Sequence, residues 1–273
     1  MTLNGRLTTY DQDMDTVQTI VDCLIGGGVV LMPSDTVYAL AVLPTLERSI
    51  DRLYSLKERP RTFNLPIMVA SSEDLEILGF DVNEPAKRLL RSPLVPGSLT
   101  IAMGFRSKDV PPWLEGRDEA AIRIPNDDRL LAVLRKTGPL LVTSANLHGL
   151  DTPENLADVL AQLRGAPDLA IDGGVLQTVP STLVNCRLVP PVIERIGQRC
   201  FGRGVTDLFL GKGLQSGRVT AFQPAICKAR RGSGGLDIFQ PEHGRCLRNK
   251  LAPSSGGCPS NEVVPPRTGP RGA

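Results

Sequence analysis

Lys57, Arg59 and Arg61 stand within five residues of one another in SLKERPRTFNLPIMVAS (residues 55–71), around Pro60 and just ahead of an apolar run. Positive charge at the mouth of a buried strand is suited to holding an anion. A guanidinium offers a planar fork to phosphate or carboxylate, and an ammonium offers a compact point charge. Each such charge-assisted bond is worth about 1.5–3 kcal/mol. Pro60 disfavours helical backbone at Arg59, so a preceding helix should end near Lys57. The cations should then project from a helix-to-strand junction, where sites in open α/β sheets are often built. The plainer alternative is a solvated helix end whose cations answer the C-terminal dipole. Two further arginines interrupt apolar runs, Arg123 in AAIRIP and Arg195 in VIERIG. Each is either half of a buried ion pair or a ligand contact at a strand end. If the strands are neighbours, Lys57, Arg59, Arg123 and Arg195 bring four cations to one cleft.

Small polar residues accompany them. In LLVTSANLHGLDTPE (residues 140–154) an apolar strand runs into Thr143, Ser144 and Asn146, side chains suited to hydrogen bonding a ligand. Thr152 and Pro153 read as the N-cap and first residue of a helix over 153–163, and a helix N-terminus favours anions. PSDTVYAL (residues 33–40) presents Ser34, Thr36 and Tyr38 at period two, so the three should line one face of the same pocket. Ser181, in PST at 180–182, is another polar step into a strand. Several chemistries are excluded. His148 follows Ser144 by four residues in a loop and no G-x-S-x-G exists, so a Ser-His-Asp hydrolase has no support. There is no P-loop and no G-x-G-x-x-G after a strand. Six cysteines without a C-x-x-C pair, and only His148 and His243, argue against a zinc site and for reduced thiols.

The elements that must position these groups are legible from periodicity. Residues 15–25 put Val17, Ile20, Val21, Leu24 and Ile25 on one helical face, and Gly26–Gly28 ends that helix. VVLMPS then reads as a buried strand. Leu46, Ile50, Leu53 and Tyr54 mark a second helix that runs out near Lys57, and 127–136 is a third, closing at Gly138. LPIMVA, LTIAMGF, AAIRIP, LLVTSAN, LAIDGG, STLVNC and VIERIG are short strand candidates. Helices interleaved with strands that sometimes follow one another directly predict an α/β fold with a mixed sheet. The 273 residues are 41% hydrophobic with a net charge of +2, enough for one ordinary domain or two small ones. Charge is uneven. From residue 204 onward there are ten Lys/Arg against four Asp/Glu, leaving 21 basic and 25 acidic residues before it, a net −4. An acidic body with localised cations suggests a focused anion site rather than a broad nucleic-acid surface. Residues 206–273 form a basic Gly/Pro/Ser/Arg-rich tail expected to be mostly disordered. No apolar run reaches the roughly 18 residues of a membrane span, and the N-terminus lacks the apolar core of a secretory signal, so a cytoplasmic address is expected.

Taken in order, PSDTVYAL, LKERP…NLPIMVAS, PGSLT, AAIRIP, TSANLHG, PSTLVN and VIERIG resemble the threonylcarbamoyl-AMP synthase family, the YrdC-like proteins. The resemblance covers residues 15–200 and assigns 1–205 to one YrdC-like domain. It implies an open twisted mixed β-sheet flanked by helices, with a concave basic cavity. It further implies synthesis of threonylcarbamoyl-AMP from L-threonine, bicarbonate or CO2, and ATP with Mg²⁺, releasing pyrophosphate. The product would serve N6-threonylcarbamoyladenosine formation in tRNA through a downstream tRNA threonylcarbamoyl transferase complex, with double-stranded RNA or tRNA as further candidate partners. Carried over by motif, Thr36, Arg123, Ser181 and the main chain at Val142 would hold threonine. Lys57, Arg59, Ser144, Asn146, Thr152 and Arg195 would surround ATP, with Lys57 and Arg59 as the catalytic pair. Four positions depart from the resembled pattern: Ala39 for Gly, Met68 for a His, His148 for Ser, and Asn185 for Asp. Two alternatives stay open, an enzyme forming carbamoyl adenylate from carbamoyl phosphate and a non-catalytic RNA-binding module.

Overall fold

The computed structural model describes residues 6–9, 14–107, 109–176 and 179–197. The basic tail expected at 206–273 lies outside them. The apolar runs become the strands β1 (Arg6–Thr9), β2 (Val30–Met32), β3 (Ala39–Val42), β4 (Ile67–Met68), β5 (Leu99–Gly104), β6 (Glu119–Arg123), β7 (Leu140–Ser144), β8 (Leu169–Asp172), β9 (Thr182–Asn185) and β10 (Val192–Arg195). Helices α1 (Met14–Ile25), α2 (Glu47–Lys57), α3 (Glu73–Ile77), α4 (Glu84–Leu90), α5 (Asp128–Thr137) and α6 (Leu156–Gln162) connect them. All ten strands join one mixed sheet in the order β1-β8-β2-β3-β7-β4-β6-β5-β9-β10. β1–β8, β2–β8, β4–β6 and β5–β9 are parallel, and the other neighbours are antiparallel.

Strand alternation sends successive side chains to opposite faces. One face, with Leu31, Leu40, Leu141, Ile67, Ile122, Ile101 and Val184, packs into a large core with α2, α4 and α6. The other face is only partly covered. Its apolar cluster joins Val17, Ile20, Val21 and Leu24 of α1 and Leu130, Val133 and Leu134 of α5 to residues of β8, β2, β3 and β7, and to Met68 of β4. Among the described residues it takes none from β6, β5, β9 or β10. Arg123 is paired with Met68 across β4 and β6, where the helical cover stops. The sheet therefore keeps a half-face outside that cluster, where Thr100, Arg123 and Asn185 stand among the small or apolar Ala102, Ala121 and Leu183.

Several expectations change here. The sixth helix begins at Leu156, not Pro153, and its cap is Asn155, whose side chain accepts from the Asp158 N–H and donates to the Asp158 carboxylate. That reciprocal pair satisfies the helix start better than Thr152 could three residues earlier. Residues 33–38 are not extended, so period two fails there. Tyr38 turns into the large core and its hydroxyl accepts from the Gly173 N–H at 2.8 Å and donates to the Gly174 carbonyl at 2.8 Å, whereas Thr36 accepts from Arg123. Strand β3, short and hidden behind that bend, was not anticipated, nor were β1, α3 and α4.

Helix α2 ends as Pro60 requires. The Glu58 N–H bonds the Ser55 carbonyl and the Arg59 N–H bonds the Tyr54 carbonyl, a Schellman closure with Glu58 in the left-handed position, φ 49° and ψ 37°. It is the one non-glycine residue with positive φ among those described. Left-handed backbone costs a non-glycine residue about 1–2 kcal/mol, partly offset by the larger entropy loss of glycine. Glu58→Gly is expected to stabilise the protein by about 0.5–1 kcal/mol in urea unfolding, the loss of its exposed pair with Arg164 notwithstanding. Destabilisation by the glycine would show that the Glu58 side chain outweighs its strain.

Candidate active site

Lys57 does not project into a cleft. It follows Leu53 by four residues and shares the buried face of α2, with 1% of its surface exposed. Its ammonium donates to the Ser144 carbonyl, to the Asn146 carbonyl at 2.6 Å and to Asn146 Oδ1 at 3.1 Å. The Lys57 carbonyl in turn accepts from the His148 N–H at 2.8 Å. Side chain and main chain together clamp the TSANLHG loop onto the end of α2. Within that loop the Ser144 hydroxyl donates to Asn146 Oδ1 at 2.6 Å, and Asn146 Nδ2 donates to the carbonyls of Leu147 and Leu150. Asn146 is 8% exposed and all its polar atoms are engaged.

The strained turn at Glu58 then swings Arg59 out of the helix. Arg59 is half-buried and donates to the carbonyls of Phe63 and Asn64, both at 3.1 Å, while its guanidinium lies 5.5 Å from the Phe63 ring centroid. Arg61 faces away: it stacks on Tyr54 and pairs with Asp51, both on α2.

Arg123, 7% exposed, ends β6. Its Nε donates to the Gly97 carbonyl at 2.9 Å, one Nη to Thr36 Oγ1 at 2.8 Å and the other to Asp35 Oδ1 at 2.7 Å. Asp35 also accepts from the Asn126 N–H, so the bend after β2 is tied down over the sheet face. Arg195 ends β10 and donates to the Ser181 carbonyl at 2.9 Å and its hydroxyl at 3.2 Å; that hydroxyl shares a 2.7 Å hydrogen bond with Thr100. The chain is pinned here because Gly197 lies against 180–182, where a Cβ would come 2.2 Å from the Pro180 oxygen.

Electrostatics places these groups in one neighbourhood. Burial first, then the like charges of Arg123 and Arg59, pull Arg195 below its ordinary range. An arginine stays charged regardless, and the part that Arg123 and Arg59 contribute is a repulsion which an anion among the three would relieve. Asp35 neutralises Arg123. Lys57, Arg59 and Arg195 have only carbonyl and hydroxyl partners, with no ion pair to any of them among the described residues.

Of the residues singled out in the sequence, Lys57, Ser144 and Asn146 form one hydrogen-bonded unit, Thr36 and Arg123 a second, and Ser181 and Arg195 a third. The main-chain N–H of Val142 is engaged by the Pro66 carbonyl at 2.9 Å. Thr152 is half-buried and has no hydrogen bond to any of these units. Asp35, Gly97, Thr100 and Phe63 belong to the site and were not read as such. PSDTVYAL and PGSLT already held three of them, but no periodicity says that a turn residue will reach an arginine far along the chain.

The profile of the Sua5/YciO/YrdC family, described as "Telomere recombination", matches residues 22–197. The threonylcarbamoyl-AMP synthase of Pyrococcus abyssi (strain GE5 / Orsay) is 32% identical over 174 residues, 63% of this chain and 51% of that protein. The chain spans about half the length of the first curated relatives it matches. The crystal structure of P. abyssi Sua5 complexed with L-threonine superposes with a TM-score of 0.66 at 27% identity, covering 75% of this chain and 60% of that one. The crystal structure of E. coli YciO gives 0.63 at 26%, covering 71% and 96%. No helix among the described residues is long and apolar enough to cross a membrane.

Burial, with the like charge of Arg59 beside it, pulls the Lys57 ammonium from its ordinary 10.5 down to about 7. The folded value lies below the unfolded one, so the unfolded chain holds more protons between about 7 and 10.5 and stability rises with pH across that window. Between pH 7 and 9 the wild type is expected to gain about 1–2 kcal/mol relative to Lys57→Met in urea unfolding. Cys186, pushed up to about 12, is common to both chains and cancels. Parallel pH profiles for the two would contradict the shift.

Proposed function

The chain belongs to the Sua5/YciO/YrdC family, and we propose that it forms threonylcarbamoyl-AMP from L-threonine, bicarbonate or CO2, and ATP, releasing pyrophosphate. The observation that carries this reading is the gathering of Lys57, Arg59 and Arg195, none of them ion-paired among the described residues, beside the Arg123–Asp35 pair. Two guanidinium charges with neutral partners, with the buried Lys57 side chain behind them, suit a polyanion. We read the sheet's remaining half-face as the floor of the basic cavity.

In this reading threonine lies against Arg123, Thr36 and Ser181, near the main chain at Val142. The nucleotide lies over Arg59, Arg195 and the Ser144–Asn146 turn, with Thr152 at its edge. Threonine's amine and CO2 give a carbamate; its oxygen attacks the α-phosphorus while the bond from that phosphorus to the bridging oxygen breaks, and pyrophosphate leaves with the electron pair. Carbamate and triphosphate are both anions, so the protein's task is to oppose their repulsion and stabilise charge developing on the leaving group. Arg59 and Arg195 do this directly. Lys57 acts through the loop it clamps, and its charge adds to the field. Little proton transfer is asked of the protein once carbamate exists, so positioning and charge carry the rate. Mg²⁺ enters as the ion that ATP carries. Among the described residues there is no group of three or more His, Cys, Asp or Glu side chains that could hold a metal, and the reading routes no step through one. The product would pass, in the cytoplasm, to a tRNA threonylcarbamoyl transferase complex.

The protein with MgATP, bicarbonate and L-threonine is expected to release pyrophosphate, and Arg59→Ala or Arg195→Ala to lower turnover at least tenfold, a charged contact being worth about 1.5–3 kcal/mol. Wild-type turnover in both variants would mean the site is misplaced. Release with carbamoyl phosphate but not with threonine and bicarbonate would assign the carbamoyl route instead. No release, with tight and salt-dependent RNA binding, would assign an RNA-binding module.

A further inference from the structure

The loop that carries Asn146 continues into His148, a residue the reaction above does not use and one where the resembled pattern has serine. His148 is half-buried, its N–H is bonded to the Lys57 carbonyl, and its ring packs on Phe63 with centroids 5.1 Å apart and planes at 41°. The Arg59 guanidinium lies over the same phenyl ring, so imidazole and guanidinium flank one aromatic group. The charged groups that bear on the imidazole are Arg59 and Lys57, both from the end of α2; no carboxylate is among them. Burial, then those two cations, hold His148 below its ordinary 6.5, so the ligand-free site favours the uncharged imidazole. An anion arriving within about 4–6 Å acts in the opposite sense and favours the imidazolium.

Resting on the nucleotide reading, we infer that His148 is a charge-switching phosphate contact: a polyphosphate settling beside Arg59 and Lys57 draws a proton from solvent onto the imidazole, which becomes a further cation of the site. Lys57 is the other group that can gain a proton near neutral pH, but its ammonium is fully engaged by Ser144 and Asn146, whereas no hydrogen bond from the His148 ring is present among the described contacts. The phosphates' charge would then be met most fully only when they are bound, and the empty site would be spared one more like charge.

The chain has two histidines, His148 and His243, so its imidazole NMR signals form two sets, and the His148→Ser variant identifies one by its disappearance. The full chain is titrated from pH 5 to 8 alone, with MgATP, and with inorganic pyrophosphate. The His148 midpoint is expected below 6.5 in the free protein and at least one pH unit higher with either ligand, a tenfold gain in proton affinity. By linkage, MgATP affinity should fall several-fold more between pH 6 and 8 in the wild type than in His148→Ser. Saturating MgATP binding with an unmoved His148 midpoint would overturn this inference and leave the proposed reaction standing. Failure of both ligands to bind would overturn the nucleotide reading and this inference with it.

Discussion

A buried ammonium must be surrounded by oxygen or lose its proton, and the placement of the Lys57 side chain organises the rest of the site. Its three donors are met by oxygens of one short loop, Ser144 to Asn146. The clamp fixes the end of β7 against the end of α2, although 87 residues separate the first pair. From it follow the orientation of the Ser144 hydroxyl, the closed hydrogen bonding of Asn146 and the position of His148. The left-handed turn at Glu58 is the other half of the device, since it lets two cations two residues apart, Lys57 and Arg59, face inward and outward.

The second organising fact is unequal neutralisation. Arg123 is buried, and an unpaired charge there would cost several kcal/mol; Asp35, carried on the bend at 33–38, answers it. Arg59 and Arg195 are more accessible and are left with neutral partners. Such like-charge crowding does nothing for folding and is typical of functional positions, where local stability is sacrificed to binding. The half-face they border is free because α1 and α5 reach only as far as Met68. The changes from the resembled pattern also become physical here. Asn185 donates to Glu119 at 3.2 Å and to Glu194 at 2.8 Å, bridging two carboxylates that an aspartate would only crowd further. Ala39 lies opposite Ser144 in the β3–β7 ladder, and Met68 opposite Arg123, so both change the site's floor beside residues that are kept.

Much of this fold could be read from residue order. α1, α2 and α5 show helical apolar spacing with a clear stop at Gly26, at Pro60 and at Gly138, and seven of the apolar runs after residue 64 became strands. β3 escaped because Ser34 and Thr36 suggest an extended polar stretch, while the structure uses the Ser34 hydroxyl to close a bend, donating to the Val37 carbonyl at 2.6 Å. Thr152-Pro153 imitated a helix start that Asn155 supplies. Within the site, the identities of Arg59, Arg123, Ser144, Asn146, Ser181 and Arg195 were legible, but their grouping was not, because it depends on the crossing order of β6, β5, β9 and β10. The inward turn of Lys57 was available: it lies seven residues after Ile50 and four after Leu53, on the apolar face. A charged residue in an apolar stripe is easily taken for the end of that stripe. Asp35 and Phe63 carried no periodic signal at all.

Arg59, Arg195 and the loop held by Lys57 are proposed to form one receptor for phosphate. A crystal structure of the protein with a non-hydrolysable ATP analogue tests this proposal most directly. Phosphate density is expected within hydrogen-bonding distance of both the Arg59 and Arg195 guanidinium groups and of the Ser144–Asn146 turn. An ordered nucleotide bound elsewhere, with those two arginines still on their protein carbonyls, would contradict it.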